Sequence, residues 1–235
     1  MKVGIIQSNY VPWRGYFDFI DDVDLFVYYD DVQFSKGSWR NRNRIKTARG
    51  LSWLTVPICH DSLSQLIRET RIDYSRQWIK SHAGLLSQAY RDAPYFQRYF
   101  EPFLKLMELR FETISELNRA VNDWLLAELS ITTPLRLSSE LQTTGKQTDR
   151  LIELLKHLGA TTYLSGPTAR DYLEEHRFQQ AGIALEYKSY DYEPYQQLHG
   201  SFEPHVSVLD LLFQCGDKSR AVLKSRIPNQ QVLFD

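Results

Sequence analysis

The sequence predicts an α/β protein with an open, mostly parallel sheet and a helical insertion. Short apolar runs bounded by turn residues alternate with segments of helical periodicity, which is the order found in βαβ units. One long stretch with helical spacing, residues 74–130, interrupts this alternation. Polar clusters directly follow several of the apolar runs. In open α/β sheets the binding site lies beyond the carboxyl ends of the strands, so these clusters are the candidate site residues.

Composition and charge are those of an ordinary globular chain. With 235 residues, 43% hydrophobic and 24% charged, the chain can bury a sizeable core, and we expect residues 1–235 to form a single α/β domain. These values argue against disordered, collagen-like and membrane-protein classes. The net charge of -1 provides no general attraction to polyanions, which disfavours nucleic acid as a partner.

The cysteines and the apolar runs bear on location. Cys59 and Cys215 are isolated, which argues against a zinc ribbon and a disulfide scaffold. No run approaches the ~20 apolar residues of a membrane span, and the first residues lack a signal-peptide pattern. We therefore expect a cytoplasmic protein without a membrane span. The sequence is compatible with a homo-oligomer.

The first part of the chain predicts a βαβ unit. Residues 3–7 and 25–29 are short apolar runs typical of buried parallel strands. Between them, Pro12 suits a first helical turn, and Phe17 and Ile20 give that helix an apolar face. A third strand is predicted at residues 53–58, which are rich in β-branched and aromatic side chains.

Helical spacing then dominates until the alternation resumes. Between residues 74 and 130, three amphipathic segments predict helices that cap the sheet. After them the predicted elements are, in order, a strand at 135–137, a helix opened by 148–150 and ended by Gly159, a strand at 162–164, a turn at 165–168, a helix through Tyr172, a strand at 183–187, and a helix at 206–213 ending near Gly216.

The turn after the first strand is the first candidate site. Gly15 permits close approach, the helix N-terminus favours a phosphate, and an indole can stack on a base or sugar. The alternative is a turn whose aromatic rings only cover the sheet, and the density of donors favours a site. The candidate binding residues here are Gln7, Asn9, Tyr10, Trp13 and Tyr16.

Two carboxylates follow the second strand. Asp30, Asp31 and Gln33 could bind Mg²⁺ or accept hydrogen bonds from ribose hydroxyls, since hard cations and diols both favour carboxylate oxygens. The alternative is a solvated turn, where Asp is common.

The basic segment at residues 39–46 is the strongest candidate for phosphate binding. In an extended backbone, alternate residues share a face, so the cations would form one row and the amides another. The alternative is a charged edge that protects a strand from aggregation. The cations are Arg40, Arg42, Arg44 and Lys46, and their neighbours are Trp39, Asn41 and Asn43. We assign Arg42 and Arg44, together with Asp30, as candidate catalytic residues.

Two later segments complete the predicted site. Ser165, Gly166 and Thr168 resemble a strand-to-helix phosphate turn, although the Lys and Gly spacing of a P-loop is absent. The alternative is that Ser165 or Thr168 is only a helix cap. Glu203 and His205 lie in a polar aromatic segment whose spacing matches no metal-binding motif, so we assign them to substrate and assign no metal ligand.

The longest motifs resemble a known family. Residues 6–17, 30–34, 39–46, 53–57, 163–167 and 202–213 together resemble the WbqC-like family almost end to end, with Ser8 where relatives often carry Pro. The resemblance implies a bacterial protein of O-antigen or other surface-polysaccharide assembly. It further implies transfer of an aminoacyl group, such as glycyl, or a similar acyl group to an amino sugar from a phosphate-bearing donor or nucleotide.

A more distant resemblance concerns the fold. The first strand, turn, helix and second strand are similar to those of Rossmann-like nucleotidyltransferases of the pantothenate synthetase type. Those enzymes carry His-x-Gly-His where this chain has Trp13, Arg14, Gly15 and Tyr16. Since both imidazoles are absent, Arg40, Arg42 and Arg44 would have to stabilise a leaving phosphate.

Three functions therefore remain open at the level of sequence: an acyl transferase or ligase, a nucleotide- or nucleotide-sugar-binding accessory protein without catalysis, and a divergent nucleotidyltransferase. The expected partner is a small molecule, either a nucleotide, a sugar or an amino acid. The cofactor is left open between ATP and a nucleotide sugar with Mg²⁺.

Overall fold

The structure, a computed structural model, describes residues 1–233. Its strands are β1 (Lys2–Ile6), β2 (Leu25–Tyr28), β3 (Arg42–Thr47), β4 (Gly50–Thr55), β5 (Leu135–Leu137), β6 (Thr162–Ser165), β7 (Ala184–Tyr187) and β8 (Gln230–Gln231). Six of them form one sheet in the order β5-β2-β1-β6-β7-β8. All neighbours in it are parallel except β7 and β8. The predicted open, mostly parallel sheet is confirmed.

The helices are α1 (Arg14–Ile20), α2 (Trp78–Tyr90), α3 (Phe96–Glu108), α4 (Ile114–Glu128), α5 (Gln147–His157), α6 (Glu175–Gln180) and α7 (Val208–Cys215). Helices α2 to α4 occupy the predicted helical insertion. The Thr113 hydroxyl caps the N-terminus of α4 by accepting from the Glu116 amide at 3.2 Å. None of the helices within residues 1–233 has the length and apolar character needed to cross a membrane.

Strand alternation assigns the helices to the two faces of the sheet. Phe26 and Tyr28 of β2 pack with the apolar residues of α1, α4 and α7, whereas Val27 packs with those of α5 and α6. Both faces of the parallel strands are therefore covered, which explains their continuous apolar character. The assignment of residues 1–235 to a single domain stays a prediction, and residues 234 and 235 lie outside the described part.

The third predicted strand lies outside the main sheet. Strand β4 pairs antiparallel with β3 in a separate two-stranded hairpin, in which Arg42 faces Thr55 and Thr47 faces Gly50. The connection is short, and Gly50 adopts a φ of +102°, which favours glycine. Strand β4 alternates between the buried Leu54 and the exposed Trp53. Such alternation is typical of a hairpin with one solvated face, not of a parallel strand covered on both faces.

The segment after β6 also differs from the prediction. A short 3-10 helix, Pro167–Asp171, replaces the expected helix through Tyr172, and α6 follows it. Helix α7 ends where the sequence predicted, with Gly216 in a positive-φ conformation at its C-terminus.

Candidate functional site

A crevice opens where the strand order of the sheet reverses. From β1 the chain builds the sheet outward through β2 and β5, and it then returns to the other side of β1 to form β6. The chain leaves β1 toward α1 on one face of the sheet and leaves β6 toward α6 on the other face, and such a point is where open α/β sheets bind ligands. A cavity of about 460 Å³ lies there, within the range of roughly 300–1,000 Å³ typical of ligand pockets. We call it the switch-point crevice.

Each neighbouring segment contributes side chains to the switch-point crevice. Its lining residues are Ile5, Ile6 and Gln7 from β1 and its end, Tyr29 after β2, Arg40 before β3, Gln147, Thr148 and Leu151 from α5, Tyr163, Ser165 and Gly166 from β6 and its end, and Thr168, Ala169, Tyr172 and Leu173 from the following turn. Within the described residues, this lining contains one charged side chain, that of Arg40.

Arg40 is a cation that has no anionic partner among residues 1–233. Its guanidinium donates to the Gln7 and Asn9 side-chain oxygens, and its buried Nε has no partner within the same residues. Its ionisable neighbours in the described part of the chain are the phenols of Tyr16 and Tyr172, not carboxylates. Burial lowers the pKa of Arg40 to about 10, so the group remains charged at neutral pH. A desolvated charge held by amide dipoles alone is suited to an anionic ligand.

Helical turns face Arg40 across the switch-point crevice. Gly166 and Thr168 begin the 3-10 turn after β6, and Gln147 and Thr148 begin α5. Amide groups at the start of such turns favour negative charge. Tyr172 stands at the opening with 70% of its surface exposed, so its ring is free to cover a ligand.

A second, smaller pocket lies on the other side of the Asn9–Arg40 contact. It has a volume of about 190 Å³, and its lining residues are Asn9, Pro12, Trp13, Trp39, Asn43, Arg44 and His205. The rings of Trp13 and His205 approach to 5.3 Å between centroids. We call it the aromatic pocket. Because Asn9 lines it while accepting from Arg40, the two cavities share a wall.

Comparison with known sequences identifies the family of the chain. The model described as the WbqC-like protein family matches residues 7–222, a span that includes the lining of the aromatic pocket and all of the lining of the switch-point crevice except Ile5 and Ile6. The chain belongs to the WbqC-like protein family. It is also 43% identical over 226 residues to an uncharacterized protein of Mycobacterium tuberculosis, with 95% of this chain and 97% of the relative covered. No solved structure matches it.

Asp30 of this WbqC-like protein lies outside the switch-point crevice, contrary to its expected role there. Its carboxylate accepts from the Ser139 amide at 3.1 Å and the Ser139 hydroxyl at 2.8 Å, and Ser138 Oγ lies at 3.1 Å. Asp31 forms an ion pair with Arg150. Both carboxylates thus tie the end of β2 to neighbouring segments, and their assignment to ligand binding stays a prediction.

The aromatic turn after β1 is divided between core and pockets. Tyr10 is fully buried, with its hydroxyl 3.0 Å from His82 Nδ1, and desolvation raises its pKa well above the ordinary value. The Tyr16 hydroxyl donates to the Gln7 carbonyl at 3.2 Å, beside the switch-point crevice. A Cβ on Gly15 would lie 2.3 Å from the Trp13 indole, so this glycine makes room for Trp13 and not for a ligand.

The cations of the basic segment do not form one row. Arg40 precedes β3 and enters the switch-point crevice, whereas Arg42 and Arg44 lie over Trp53 and Trp39 on the outer face of the hairpin. Lys46 is buried, and its Nζ lies 3.2 Å from Gln197 Oε1 and 3.3 Å from the Gly200 carbonyl. The four cations do not share one face, because Arg40 lies outside the strand and because the long side chain of Lys46 lies beneath the loop that contains Gln197 and Gly200.

The remaining predicted residues have varied surroundings. Asn41 donates to the Val56 carbonyl at 2.9 Å and Asn43 to the Tyr10 carbonyl at 3.2 Å, so both amides hold the hairpin in place. Gln33 donates to the Leu63 carbonyl, and Glu203 accepts from the His205 amide. None of these four lines the switch-point crevice.

Sequence reasoning missed several residues of the switch-point crevice. Four of its lining residues were not among the predicted site residues, namely Tyr29, Gln147, Thr148 and Tyr172. The sequence signal that could have identified these residues was their position relative to the carboxyl ends of the predicted strands. Within residues 1–233, no group of three or more His, Cys, Asp or Glu side chains lies close enough to hold a metal ion.

Proposed function

We propose that this WbqC-like protein is a cytoplasmic transferase or ligase with an activated, phosphate-bearing donor, a nucleotide or nucleotide sugar, in the switch-point crevice. It would transfer an aminoacyl or similar acyl group to an amino sugar during bacterial surface-polysaccharide assembly. The observation that carries the proposal is Arg40, a partly buried guanidinium that has amide partners and, in the part of the chain that the structure describes, no carboxylate partner. The glycan context comes from the family resemblance.

The lining of the switch-point crevice suits binding of a phosphate group. Arg40 presents a planar fork of donors, which matches phosphate oxygens. The turn at Gly166 and Thr168 offers backbone amides on the opposite wall. Tyr29 and Tyr172 supply aromatic surface for a base or a sugar ring. If Mg²⁺ accompanies the donor, phosphate oxygens and water would hold it, since the Asp30 and Asp31 carboxylates are already engaged.

Catalysis would then depend on position and electrostatics. The acyl group would first be activated when the carboxylate of the amino acid attacks a phosphorus atom of a bound nucleoside triphosphate and displaces pyrophosphate. The amine of the acceptor would then attack the acyl carbon, and the carbon–oxygen bond to phosphate would break as the carbon–nitrogen bond forms. The phosphate would leave as an anion held by Arg40, and the amine would release a proton to water. Orientation of the two reactants and stabilisation of the leaving charge would supply the rate enhancement.

A second candidate function is ligand binding without catalysis. Within the described residues, the lining of the switch-point crevice contains no His, Cys, Asp, Glu or Lys. These are the side chains that most often act as general bases or nucleophiles. Incubation of the protein with a nucleoside triphosphate, an amino acid and an amino sugar, followed by mass spectrometry for an acylated sugar, distinguishes this function from the transferase.

The test of the proposal is ligand binding by the wild type and by Arg40→Gln. We expect one or more nucleoside triphosphates or nucleotide sugars to raise the melting temperature, since a ligand at 100 times its Kd adds about 2.7 kcal/mol to stability. Arg40→Gln should weaken that affinity roughly 10- to 100-fold, as expected for loss of charge-assisted hydrogen bonds worth about 1.5–3 kcal/mol. Calorimetry with and without Mg²⁺ measures the affinity directly.

Arg91→Gln is the matched control. Arg91 is exposed at the end of α2, outside the switch-point crevice, and its substitution removes the same charge. It should bind the donor as the wild type does. Equal affinity of Arg40→Gln and the wild type, or no binding of any phosphate compound by the wild type, would contradict the proposal.

A further inference from the structure

The outer face of the hairpin carries an exposed strip of alternating aromatic and cationic side chains. Trp39 and Trp53 are 43% and 41% exposed, and their ring centroids lie 5.5 Å apart. The Arg42 guanidinium carbon lies 4.3 Å from the centroid of the Trp53 ring. That of Arg44 lies 5.7 Å from Trp39 and 6.0 Å from Trp53. We call these four residues the Trp–Arg strip.

The Trp–Arg strip lies in a segment with an extreme local charge. Between Asp31 and Asp61 the sequence has six Lys or Arg residues and no Asp or Glu, which gives a formal charge of +6 within a chain of net charge -1. Arg42 and Arg44 form no ion pair with a carboxylate in the described part of the chain, and their guanidinium groups are held by indole rings instead. This charge pattern is complementary to an anionic partner.

The Trp–Arg strip is continuous with the aromatic pocket. Trp39 and Arg44 belong to both, so the exposed face leads directly into a cavity of about 190 Å³. Arg44 donates through Nη2 to the His205 carbonyl at 3.2 Å, while its Nε is buried without a partner. Asn9 forms the far wall of the pocket and contacts Arg40 of the switch-point crevice. A ligand chain on the strip would therefore place its terminal unit beside the crevice.

We propose that the Trp–Arg strip and the aromatic pocket bind an anionic oligosaccharide, with its terminal sugar in the pocket and the preceding sugars along the strip. This inference rests on the proposed function and extends it, because it names the acceptor as a charged glycan chain and not a free monosaccharide. Carboxylate or phosphate groups on the chain would pair with Arg42 and Arg44.

The side chains favour a carbohydrate over a nucleic acid. A sugar ring packs its apolar C–H groups against an indole and directs its hydroxyls to neighbouring amide and guanidinium donors. A nucleic acid is typically bound by a strongly basic domain, whereas this chain has a net charge of -1. Arg42 lies over Trp53, and Trp39 packs beside it at an interplanar angle of 36°, so the strip combines apolar rings with guanidinium donors. The guanidinium forks match the planar carboxylate of a uronic acid.

Calorimetric titration with galacturonic acid and with its linear trimer tests the inference. The trimer should bind the wild type at least tenfold more tightly than the monomer, since only the trimer can reach from the pocket onto the strip. Trp53→Ala and Arg42→Gln, which alter the strip but not the pocket lining, should each weaken trimer binding about tenfold and leave monomer binding unchanged. Trp39→Ala should weaken the binding of both the monomer and the trimer, because Trp39 contributes to the strip and to the pocket.

Several outcomes would overturn the inference. They are equal affinity for monomer and trimer, an unchanged trimer affinity in both Trp53→Ala and Arg42→Gln, or equally tight binding of the neutral trimer maltotriose. Tighter, Trp53-dependent binding of a thymidine oligonucleotide or of vesicles containing anionic lipid would assign the strip to another partner. Circular dichroism of each variant confirms that it is folded.

The same preparations are titrated with the donor that stabilises the wild type. Donor binding without trimer binding would contradict this inference alone. Trimer binding without donor binding would contradict the proposed function and leave the glycan site in place.

Discussion

Two side chains of opposite charge show how surroundings determine a residue's role. Asp30 is 3% exposed and its carboxylate is surrounded by the donors of Ser138 and Ser139. Among the described residues, the guanidinium of Arg40 is held by neutral amide oxygens alone, and it faces an open cavity. The Asp30 carboxylate accepts three hydrogen bonds, whereas the charge of the Arg40 guanidinium is not balanced by a carboxylate among the described residues. A buried group that is already satisfied stabilises the fold, and one that is not is available to a ligand.

At the residue scale, Asp30→Asn should destabilise the protein without changing its affinity for the phosphate-bearing ligand of the switch-point crevice. The NH2 group of Asn would replace one of the two carboxylate oxygens and would present its donors to either the Ser139 amide or the Ser139 hydroxyl, each of which also donates. We expect a loss of about 1–3 kcal/mol in the free energy of unfolding, the usual cost of unsatisfied buried polar groups. Urea denaturation measures the loss and calorimetry the affinity.

The exposed Asp92 provides the control for Asp30. Asp92→Asn removes the same charge outside any ion pair of the described residues and should leave the stability within about 0.5 kcal/mol of the wild type. Unchanged stability of Asp30→Asn together with lost donor binding would return Asp30 to the ligand site.

The elements of the fold could be predicted to different degrees. The strands of the main sheet near its centre are apolar runs, because helices cover both their faces, and they were recognised from sequence. Strand β8 consists of Gln230 and Gln231, which carry no apolar signal, and it was missed. Strand β4 was predicted, but the sequence did not indicate that it belongs to a separate sheet. A sequence pattern shows that a strand exists and does not show which strand it pairs with.

The candidate site could be predicted only in part for the same reason. The sequence placed polar clusters after β1, β2 and β6, and the residues after β1 and β6 do line the switch-point crevice. It could not separate Arg40 from Arg42 and Arg44, because period-two alternation applies only inside a strand and Arg40 precedes β3. Nor could it show that Ser138 and Ser139, more than a hundred residues away, satisfy Asp30.

At the element scale, Lys46 connects the hairpin to the loop before α7. Its Nζ contacts Gln197 and the carbonyls of Gly200 and Ser201, and its backbone amide donates to the Tyr90 hydroxyl at 3.0 Å. Lys46→Met keeps the apolar stem and removes the contacts of the ammonium group. We expect faster amide hydrogen exchange in residues 197–205 and unchanged exchange in β1 and β6, because the loop loses its attachment.

Lys36→Met is the matched control for this loop, because Lys36 is exposed outside the hairpin strands. It should exchange as the wild type does. Equal exchange of residues 197–205 in Lys46→Met and the wild type would show that other contacts hold the loop. Limited proteolysis of both variants gives an independent measure of the same opening.

At the scale of the whole molecule, His82 joins three parts of the structure. It lies in α2, its Nε2 is 3.1 Å from the Thr55 carbonyl of β4, and its Nδ1 is 3.0 Å from the Tyr10 hydroxyl after β1. The carbonyl requires a proton on Nε2, so Nδ1 accepts from Tyr10 in the neutral ring. Desolvation lowers the pKa of His82 to about 4, which keeps the imidazole neutral in the folded protein.

This lowered pKa predicts a loss of global stability in mild acid. The unfolded chain protonates His82 near its ordinary pKa of about 6.5, whereas the folded protein resists protonation until about pH 4. The unfolded state therefore binds more protons between these values, and stability falls as the pH falls through this window. The total from this residue is about 3 kcal/mol, at 1.36 kcal/mol per pKa unit.

Denaturation of wild type and His82→Gln across pH 4–8 measures this contribution. The variant should be less stable at pH 8, and the difference from wild type should shrink as the pH falls below 6.5. The control is His157→Gln, at an exposed position near the end of α5. Its free energy of unfolding should depend on pH in the same way as that of the wild type. A constant difference between His82→Gln and wild type at every pH would contradict a neutral, buried His82.

The lengths of the outermost strands bear on how copies of the molecule can meet. The main sheet terminates in β5, of three residues, and β8, of two, so each edge offers few unpaired backbone groups to another chain. Long open edges recruit foreign strands and promote aggregation. Self-association by extending the sheet from one copy to the next is thus disfavoured. A homo-oligomer of this protein is therefore expected to form without adding strands to the main sheet, whose backbone hydrogen bonding would stay unchanged.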